Sequence, residues 1–418
     1  MINNNTLKRV FISSYVGNTL ETYDFVLCGI LAAKMSQVFF PCESAFSSLL
    51  LMLSAYAVGF VSRPIGAVFF GYIGDIKGRK VALFYSLLGM SICTLICGLL
   101  PSYEMIGVSA SVLFFMIRIM QGICIGGESQ GGSIFVVEHF WKKSPAAFGA
   151  FFATSNGFGA LLATFVSLSF LTIDSQNPHI WRYPFILGAV VGLIGFYIRK
   201  HIPETPAFKD REIISNPLRA SFQDNKKNCF RVFLYVALIS SITQFGFTFV
   251  NIYLSTFVKI SKTQSLSFAC LGTLLAMSGV ATTGLFLKKF PDKVDSVIKC
   301  GVWASFVLSP LVMVVMQKGQ DIHIYYALIL LAIFTGLLCG AAPYFIAIHF
   351  KHSNRYSGSA LINNLAQGFV GGFFPSIGLA LLNITDLVMA PGIYISILSL
   401  LFIGFNHFSK DIKLHEKS

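Results

Sequence analysis

Two carboxylates lie three residues apart within an otherwise apolar stretch near the start of the chain. Glu21 and Asp24 fall on one face of a helix, and Asn18 continues that face one turn earlier. Close like charges oppose simultaneous ionisation, so one carboxyl of such a pair can hold a proton at neutral pH. The spacing therefore predicts a proton-coupling site at Glu21 and Asp24, without ranking the two. For each residue, simple pairing with an arginine that joins two helices is the open alternative.

Two arginines, Arg63 and Arg118, also lie in apolar stretches. A charge in hydrocarbon costs at least about 2.5 kcal/mol on insertion scales, so each arginine is a candidate functional group. A guanidinium can hold a carboxylate of the protein or of a substrate through two parallel hydrogen bonds. Competition between those two partners would couple proton movement to substrate movement. Pro64 follows Arg63 directly and favours a kink in the helix. That Arg63 only orients this kinked helix is therefore as good an explanation as a functional role.

Further polar residues are candidates for substrate binding and gating. Asn18 is a candidate for contact with the substrate. Asn363 and Asn364 are suited to hydrogen bonds with a substrate, although hydrogen bonds between helices explain them equally well. Glu128 lies in a glycine-rich stretch that allows close packing or local unwinding, which predicts a role in gating or coupling. Glu138 falls where a long helix would leave the membrane, and we expect it to be a gate partner of the basic loops.

The composition indicates a membrane protein. Hydrophobic residues make up 55% of the 418-residue chain and charged residues 12%, against about 25% charged in soluble domains. The net charge of +13 would suit nucleic-acid binding, but most of the 31 Lys and Arg fall in alternate connections and at the termini. That distribution is the positive-inside pattern of membrane proteins and argues against a nucleic-acid partner. The nine cysteines lie mostly in apolar runs without metal-ligand spacing, so no metal or cofactor is predicted.

The hydrophobic runs predict an all-α integral membrane fold with twelve transmembrane helices in two six-helix bundles. The predicted spans are 10–33, 46–71, 82–100, 108–137, 148–171, 183–199, 232–257, 265–287, 297–316, 323–348, 358–382 and 387–407. They divide the chain into an N-terminal bundle at 1–200, a cytoplasmic linker at 201–230 and a C-terminal bundle at 231–418. Both termini are expected in the cytoplasm. Equal halves suggest a substrate path at their interface near mid-membrane.

The connection between the second and third predicted spans carries a short motif of Gly71, Asp75, Gly78, Arg79 and Lys80. Gly78 permits a tight turn. Asp75 and Arg79 can lock neighbouring helix ends by a charge-assisted hydrogen bond. The loop resembles the signature of the major facilitator superfamily, Gly-x-x-x-Asp-x-x-Gly-Arg-Arg/Lys. We expect a cytoplasmic gate here, formed by Asp75, Gly78, Arg79 and Lys80, that opens when the lock breaks.

Further stretches are similar to the metabolite:proton symporter family within that superfamily. They are Gly17-Asn18-Thr-Leu20-Glu21-Thr-Tyr23-Asp24-Phe25, Arg63-Pro64-Ile-Gly66, Arg118-Ile-Met-Gln121-Gly122, Trp181-Arg182-Tyr-Pro184-Phe185 and Pro203-Glu204-Thr205-Pro206. The family includes transporters of proline and betaine, 2-oxoglutarate, citrate and shikimate. The resemblance implies proton-coupled symport of a small zwitterion such as proline or betaine by alternating access. Symport of a di- or tricarboxylate such as 2-oxoglutarate or citrate is the alternative.

Other function classes fit the sequence less well. A membrane sensor with the same fold would usually need a larger cytosolic output segment than the short tail after the last span. The chain carries no phosphate-binding loop, nucleophile elbow or histidine-rich metal motif, so an enzyme is not expected. The expected partners are a small-molecule substrate, protons and membrane lipid. The expected oligomeric state is a monomer. The expected location is a bacterial-type inner membrane, which the chain crosses many times.

Overall fold

A computed structural model describes residues 4–173, 177, 179–205, 208, 226–351 and 354–408. Within this part the chain is helical, and eleven helices are long and apolar enough to cross a membrane. The helix Asn4–Ile30 is the remaining span, and its charged and polar residues make it less apolar than the other eleven. The predicted all-α membrane fold is confirmed. The predicted linker, 201–230, falls largely outside the described residues.

The spans follow the predicted runs closely. In chain order they are Asn4–Ile30; Ala45–Val61 with Arg63–Ile76; Arg79–Leu99; Val108–His139; Pro145–Ile173; Arg182–Lys200; Lys226–Gln244 with Phe245–Phe249 and Val250–Thr256; Lys262–Lys289; Val294–Gln317; Asp321–Ile348; Arg355–Ala366 with Gln367–Gly371 and Phe374–Thr385; and Ala390–Phe408. We refer to them as the first to the twelfth span. Short helices, Ala32–Phe39 and Tyr103–Ile106, lie in connections of the first half.

Three spans are interrupted. The second breaks at Ser62, between Val61 and Arg63. The seventh and eleventh each contain a π-helical turn, at Phe245–Phe249 and Gln367–Gly371. Such turns inside membrane helices change the direction of the following side chains and are frequent at functional sites.

The spans form two bundles with separate cores. The largest buried cluster belongs almost wholly to the seventh to twelfth spans, and a second cluster belongs to the first six. Between the bundles, the second span packs against the eleventh, and the fifth packs against the eighth and tenth. Both described chain ends and the helix ends that flank the linker lie at one end of the bundle, which we call the linker end.

A short internal repeat relates the two halves. The fourth span ends with Phe135, His139 and Phe140 in the pattern Phe-x-x-x-His-Phe, and the tenth ends with the same pattern at Phe345 and His349. His139 Nδ1 lies 2.9 Å from the carbonyl oxygen of Phe135, and His349 Nδ1 lies 2.6 Å from that of Phe345. The fourth and tenth spans occupy equivalent places in two sets of six, as expected for duplicated halves.

Candidate functional site

Asp24 lies in a buried polar cluster of the first, third and fourth spans. Its Oδ1 accepts a hydrogen bond of 2.7 Å from Thr94, and its Oδ2 accepts one of 2.8 Å from Gln121. Arg118 Nη1 lies 3.7 Å from Oδ2 of Asp24 and donates a 2.7 Å hydrogen bond to Oε1 of Gln121. Gln121 therefore bridges the carboxylate and the guanidinium. The structure brings the predicted Asp24 and Arg118 together through two neutral groups that the sequence analysis did not select.

Glu21 has different surroundings from Asp24. Its Oε2 is buried without a hydrogen-bond partner among the described residues. The charges that act on it are those of Arg63, Glu128 and Arg199. Although the two carboxylates share a helix face, they have separate partners, so the expected pair divides into two sites.

Arg63 begins the helix that follows the break at Ser62, and Pro64 occupies its first turn, where a missing N–H costs least. Its guanidinium carbon lies 4.5 Å from the ring centroids of both Phe25 and Phe60. Its Nη1 lies 3.5 Å from Oε1 of Gln367 in the π-turn of the eleventh span. Arg63 thus lies at a helix break and also contacts the second half, and both of its predicted roles stay predictions.

Glu128 forms a buried ion pair with Arg199 of the sixth span. A second guanidinium nitrogen of Arg199 donates a 2.6 Å hydrogen bond to Oε2 of Glu128, and Ser86 donates one of 2.8 Å to the same oxygen. Gly17 makes room for this pair, because a side chain there would collide with the guanidinium. The structure places Glu128 inside the first bundle, apart from the other predicted gate residues. Arg199 was missed because it lies in the last turn of its span, where basic residues are usual.

Three of the other predicted gate residues, Asp75, Arg79 and Glu138, meet at the linker end in a buried charge network. Arg79 lies 3.5 Å from Asp75 and 3.4 Å from Glu138. Arg355, from the second half, lies 3.5 Å from Glu138. Asp75 Oδ2 also accepts a 2.8 Å hydrogen bond from the amide of Ser357. The network therefore joins the two halves.

Close backbone approach surrounds this network. Gly74 packs against the ring of Tyr356, and an added Cβ there would lie 3.0 Å from a ring carbon. The hydroxyl of Tyr356 donates a 2.6 Å hydrogen bond to the carbonyl of Gly127. A hydrogen bond from the second half therefore ends on a backbone carbonyl of the fourth span, where small residues let the helices approach closely.

Gly78 and Lys80 begin the third span. Gly78 has φ +122°, a conformation that favours glycine. The amide of Lys80 donates a 3.0 Å hydrogen bond to Oε2 of Glu204, which follows the sixth span. Burial raises the pKa of Glu204 above its ordinary value, although hydrogen bonds from the amides of Thr205 and Lys80 oppose that shift. Glu204, quoted above only for a family resemblance, thus caps the helix that follows the gate.

The predicted asparagines divide between two places. Asn18 donates hydrogen bonds of 2.6 Å to Ser155 and 3.0 Å to Asn156 of the fifth span. Asn364 donates one of 3.0 Å to the carbonyl of Gly126 across the halves, and Asn363 is buried on the same helix. Asn364 therefore joins helices in this conformation. The exposed amide of Asn156 was not predicted.

The comparisons with known proteins decide the family. The family model described as Major Facilitator Superfamily matches residues 25–375. The chain belongs to the major facilitator superfamily. As a member of this superfamily it is a multi-pass membrane transporter with a small-molecule substrate, not an enzyme, and the resemblance stated from its motifs is confirmed.

Three curated relatives of this superfamily member have related names. A putative proline/betaine transporter of Staphylococcus aureus is 28% identical over 98% of this chain and 90% of its own length. A glycine betaine/proline/ectoine/pipecolic acid transporter of Dickeya dadantii is 27% identical over 98% of this chain and 85% of its length. A proline/betaine transporter of Escherichia coli is 27% identical over 96% of this chain and 82% of its length.

Solved structures support the major facilitator fold. A double tryptophan mutant of XylE matches with a TM-score of 0.75 at 16% identity, over 100% of this chain and 98% of that one. XylE, a proton:xylose symporter bound to a bromodeoxyglucose, matches with a TM-score of 0.72 at 15% identity, over 99% and 97%. At this identity the likeness concerns the fold alone.

Proposed function

We propose that the protein is a proton-coupled symporter of a small zwitterionic osmolyte or amino acid, such as proline or betaine, and that it works by alternating access. The names of the relatives support this substrate class. The observation that carries the proposal is the buried cluster of Asp24, Gln121 and Arg118. It holds a titratable carboxylate next to a guanidinium in a membrane span, and such groups mark proton and substrate pathways.

Asp24 is the proposed proton carrier. When it is ionised, it balances the charge of Arg118 at 3.7 Å. Protonation would remove that balance and leave Arg118 to attract another anion, because an uncompensated charge is costly in a low dielectric. A substrate carboxylate could then take the place of the ionised Asp24. This exchange of partners would couple the two movements.

Arg63 is a second candidate group for binding a substrate carboxylate. Arg118 and Arg199 each have a carboxylate partner, Asp24 and Glu128 respectively. Within the described residues no carboxylate lies within 4.0 Å of Arg63. Arg63 is therefore a second guanidinium, in addition to Arg118, that can attract the carboxylate of a substrate such as proline or betaine.

We further propose that the linker end faces the cytoplasm and that the structure is closed there. Described contacts between the halves extend from Arg355 and Glu138 at the linker end to Arg63 and Gln367 deeper in the bundle. Opening would require the network around Asp75 to separate. Substrate would enter from the opposite end and leave at the linker end.

Counterflow in proteoliposomes tests the proposed function. Purified protein is reconstituted with labelled proline, betaine, 2-oxoglutarate or citrate, with and without an imposed pH gradient. We expect proline or betaine to exchange and to accumulate when the outside is acidic. Exchange of only a di- or tricarboxylate would overturn the substrate class. Exchange without accumulation under an acidic outside, with or without a sodium response, would overturn proton coupling.

A further inference from the structure

A cavity at the linker end shares Lys80 with the gate residues described above and is lined by basic, polar and apolar groups. It has a volume of about 380 Å³ and lies between the first, third and sixth spans. A volume of about 300–1,000 Å³ is usual for pockets that bind small ligands. Its lining residues are Thr6, Arg9, Lys80, Lys200, His201, Ile202 and Pro203.

Among the described residues, the cations of this cavity have no carboxylate partner. Lys80 Nζ donates a 2.9 Å hydrogen bond to the carbonyl of Lys200, which brings two lysines together. In the part of the chain that the structure describes, no carboxylate lies within 4.0 Å of Arg9, Lys80 or Lys200. The carboxylate of Glu204 accepts from backbone amides instead. Clustered cations without counter-ions raise the local concentration of anions.

The cavity lies at the level where a membrane meets water. The sixth span leads to it with exposed side chains at Val190, Ile194 and Tyr197, which follow one helical face. Tyr197 is 66% exposed, and its carbonyl oxygen is 3.0 Å from Nδ1 of His201 in the cavity wall. Tyrosines collect at the boundary between hydrocarbon and headgroups. An apolar face in hydrocarbon therefore continues directly into a cationic cavity at headgroup depth.

We propose that this cavity binds the phosphate headgroup of an anionic phospholipid, whose acyl chains lie along the face of Val190, Ile194 and Tyr197. The guanidinium of Arg9 can hold phosphate oxygens through two parallel hydrogen bonds, and Lys200 supplies a compact charge. Basic pockets between membrane helices are suited to such headgroups. The bound lipid would join the first, third and sixth spans beside the loop that contains Gly78.

Titration of the full-length protein with fluorescent phosphatidylglycerol tests the proposal. The protein is held in a neutral detergent, and energy transfer from its tryptophans to the lipid is measured. We expect the double variant Arg9→Gln/Lys200→Gln to bind this lipid about 30-fold more weakly than the wild type. Each lost charge near the surface weakens binding about fivefold, and the two factors multiply. Lys142→Gln, which removes an exposed charge elsewhere at the same end, is expected to bind within about twofold of the wild type.

Wild-type protein provides the measurement that does not depend on the variants. Labelled phosphatidylcholine should bind at least about 30-fold more weakly than phosphatidylglycerol, because its headgroup carries no net charge. Inorganic phosphate at millimolar concentration should not displace the labelled phosphatidylglycerol. Equal binding of both lipids, equal losses in the double variant and Lys142→Gln, or displacement by inorganic phosphate would each overturn the lipid site. The last of these results would indicate a soluble anion as the ligand.

Discussion

Gln121 determines how strongly Asp24 and Arg118 are held together. Its side chain makes short hydrogen bonds to both, while the charged groups themselves stay 3.7 Å apart. A direct pair with two parallel hydrogen bonds would be stronger and harder to separate. A neutral bridge satisfies both charges in the closed state and leaves either one able to change partner. This arrangement suits a carboxylate that must gain and lose a proton during each cycle.

The first prediction at the residue scale separates exchange from proton-driven uptake. Asp24→Asn keeps the size of the side chain and removes its titration. We expect this variant to exchange labelled substrate across the membrane but to lose accumulation driven by a pH gradient, because no proton leaves with the cycle. Counterflow and gradient-driven uptake in proteoliposomes measure the two activities.

Two further variants test whether the effect is specific to the charge of Asp24. Thr94→Val removes a hydrogen bond to the same carboxylate and should reduce uptake without abolishing the pH response. Glu21→Gln should keep gradient-driven accumulation if Asp24 alone carries the proton. Accumulation by Asp24→Asn at the wild-type level would refute this role of Asp24.

The second residue-scale prediction concerns Glu204, whose pKa burial raises above the ordinary value of 4.5. A carboxyl with a raised pKa in the folded state binds its proton more readily there than in the unfolded chain. Its contribution to stability is therefore complete below pH 4.5 and is lost as the pH rises through the folded-state pKa. We expect the melting temperature of the wild type to fall relative to that of Glu204→Gln between pH 4.5 and pH 8. Thermal unfolding in detergent measures this difference, and a constant difference across that range would contradict the prediction.

Sequence reasoning at this scale found charges more easily than their partners. Asp24, Arg63 and Arg118 were found because charges in apolar runs are costly. Gln121 and Thr94 are uncharged and cost less in a span, so nothing in the sequence marked them as partners of Asp24. A partner lies wherever two helices touch, and one sequence without an alignment does not give that register.

At the element scale, glycines decide which spans can touch. An added Cβ at Gly66 of the second span would overlap the backbone carbonyl of Ile123 in the fourth. A backbone carbonyl cannot move aside as a flexible side chain can. The contact therefore requires glycine, and the two spans that carry Arg63 and Arg118 approach closely because of it.

Gly66→Ala is accordingly expected to be strongly destabilising. Overpacking typically costs about 1–3 kcal/mol, and the measurement is thermal unfolding of the purified protein in detergent. Gly404→Ala is the matched control, since an added Cβ there meets nothing within 4 Å. This control should be neutral or more stable by up to about 1 kcal/mol, because alanine favours a helix more than glycine. Similar melting temperatures for the two variants would disprove the close contact.

The positions of the spans could be predicted from the length of the apolar runs, but the interruptions within the spans could not. Runs of about 20 apolar residues are recognisable without knowing the packing. The π-turns at Phe245–Phe249 and Gln367–Gly371 contain residues that are equally compatible with a regular helix. They depend on contacts between spans. The break at Ser62 was signalled only by Pro64 in the next turn.

At the scale of the whole molecule, the proposed closure of the linker end depends on contacts between the halves that the described residues make there. The ion pair of Arg355 with Glu138 and the hydrogen bonds of Ser357 and Tyr356 all involve the start of the eleventh span. Each contact adds a modest free energy. Single substitutions can therefore shift the equilibrium between the two conformations of the proposed cycle, closed or open at the linker end. The two-bundle fold could be predicted from the sequence, whereas this grouping on one helix could not, because the sequence does not show which helix ends meet.

The final prediction separates closure from stability by means of two tyrosines. Tyr356 donates a hydrogen bond to the carbonyl of Gly127 between the halves, and Tyr235 donates one of 2.7 Å to the carbonyl of Leu338 within the second half. Each Tyr→Phe variant loses one buried bond, worth about 1 kcal/mol. Only Tyr356→Phe should raise the rate of amide hydrogen exchange in residues 71–80, by about fivefold. The same variant should slow exchange in the connection at 40–44, at the opposite end of the bundle. Tyr235→Phe should lower the melting temperature similarly without that change. Faster exchange at 71–80 in both variants would mean that general loosening, not release of the gate, explains the effect.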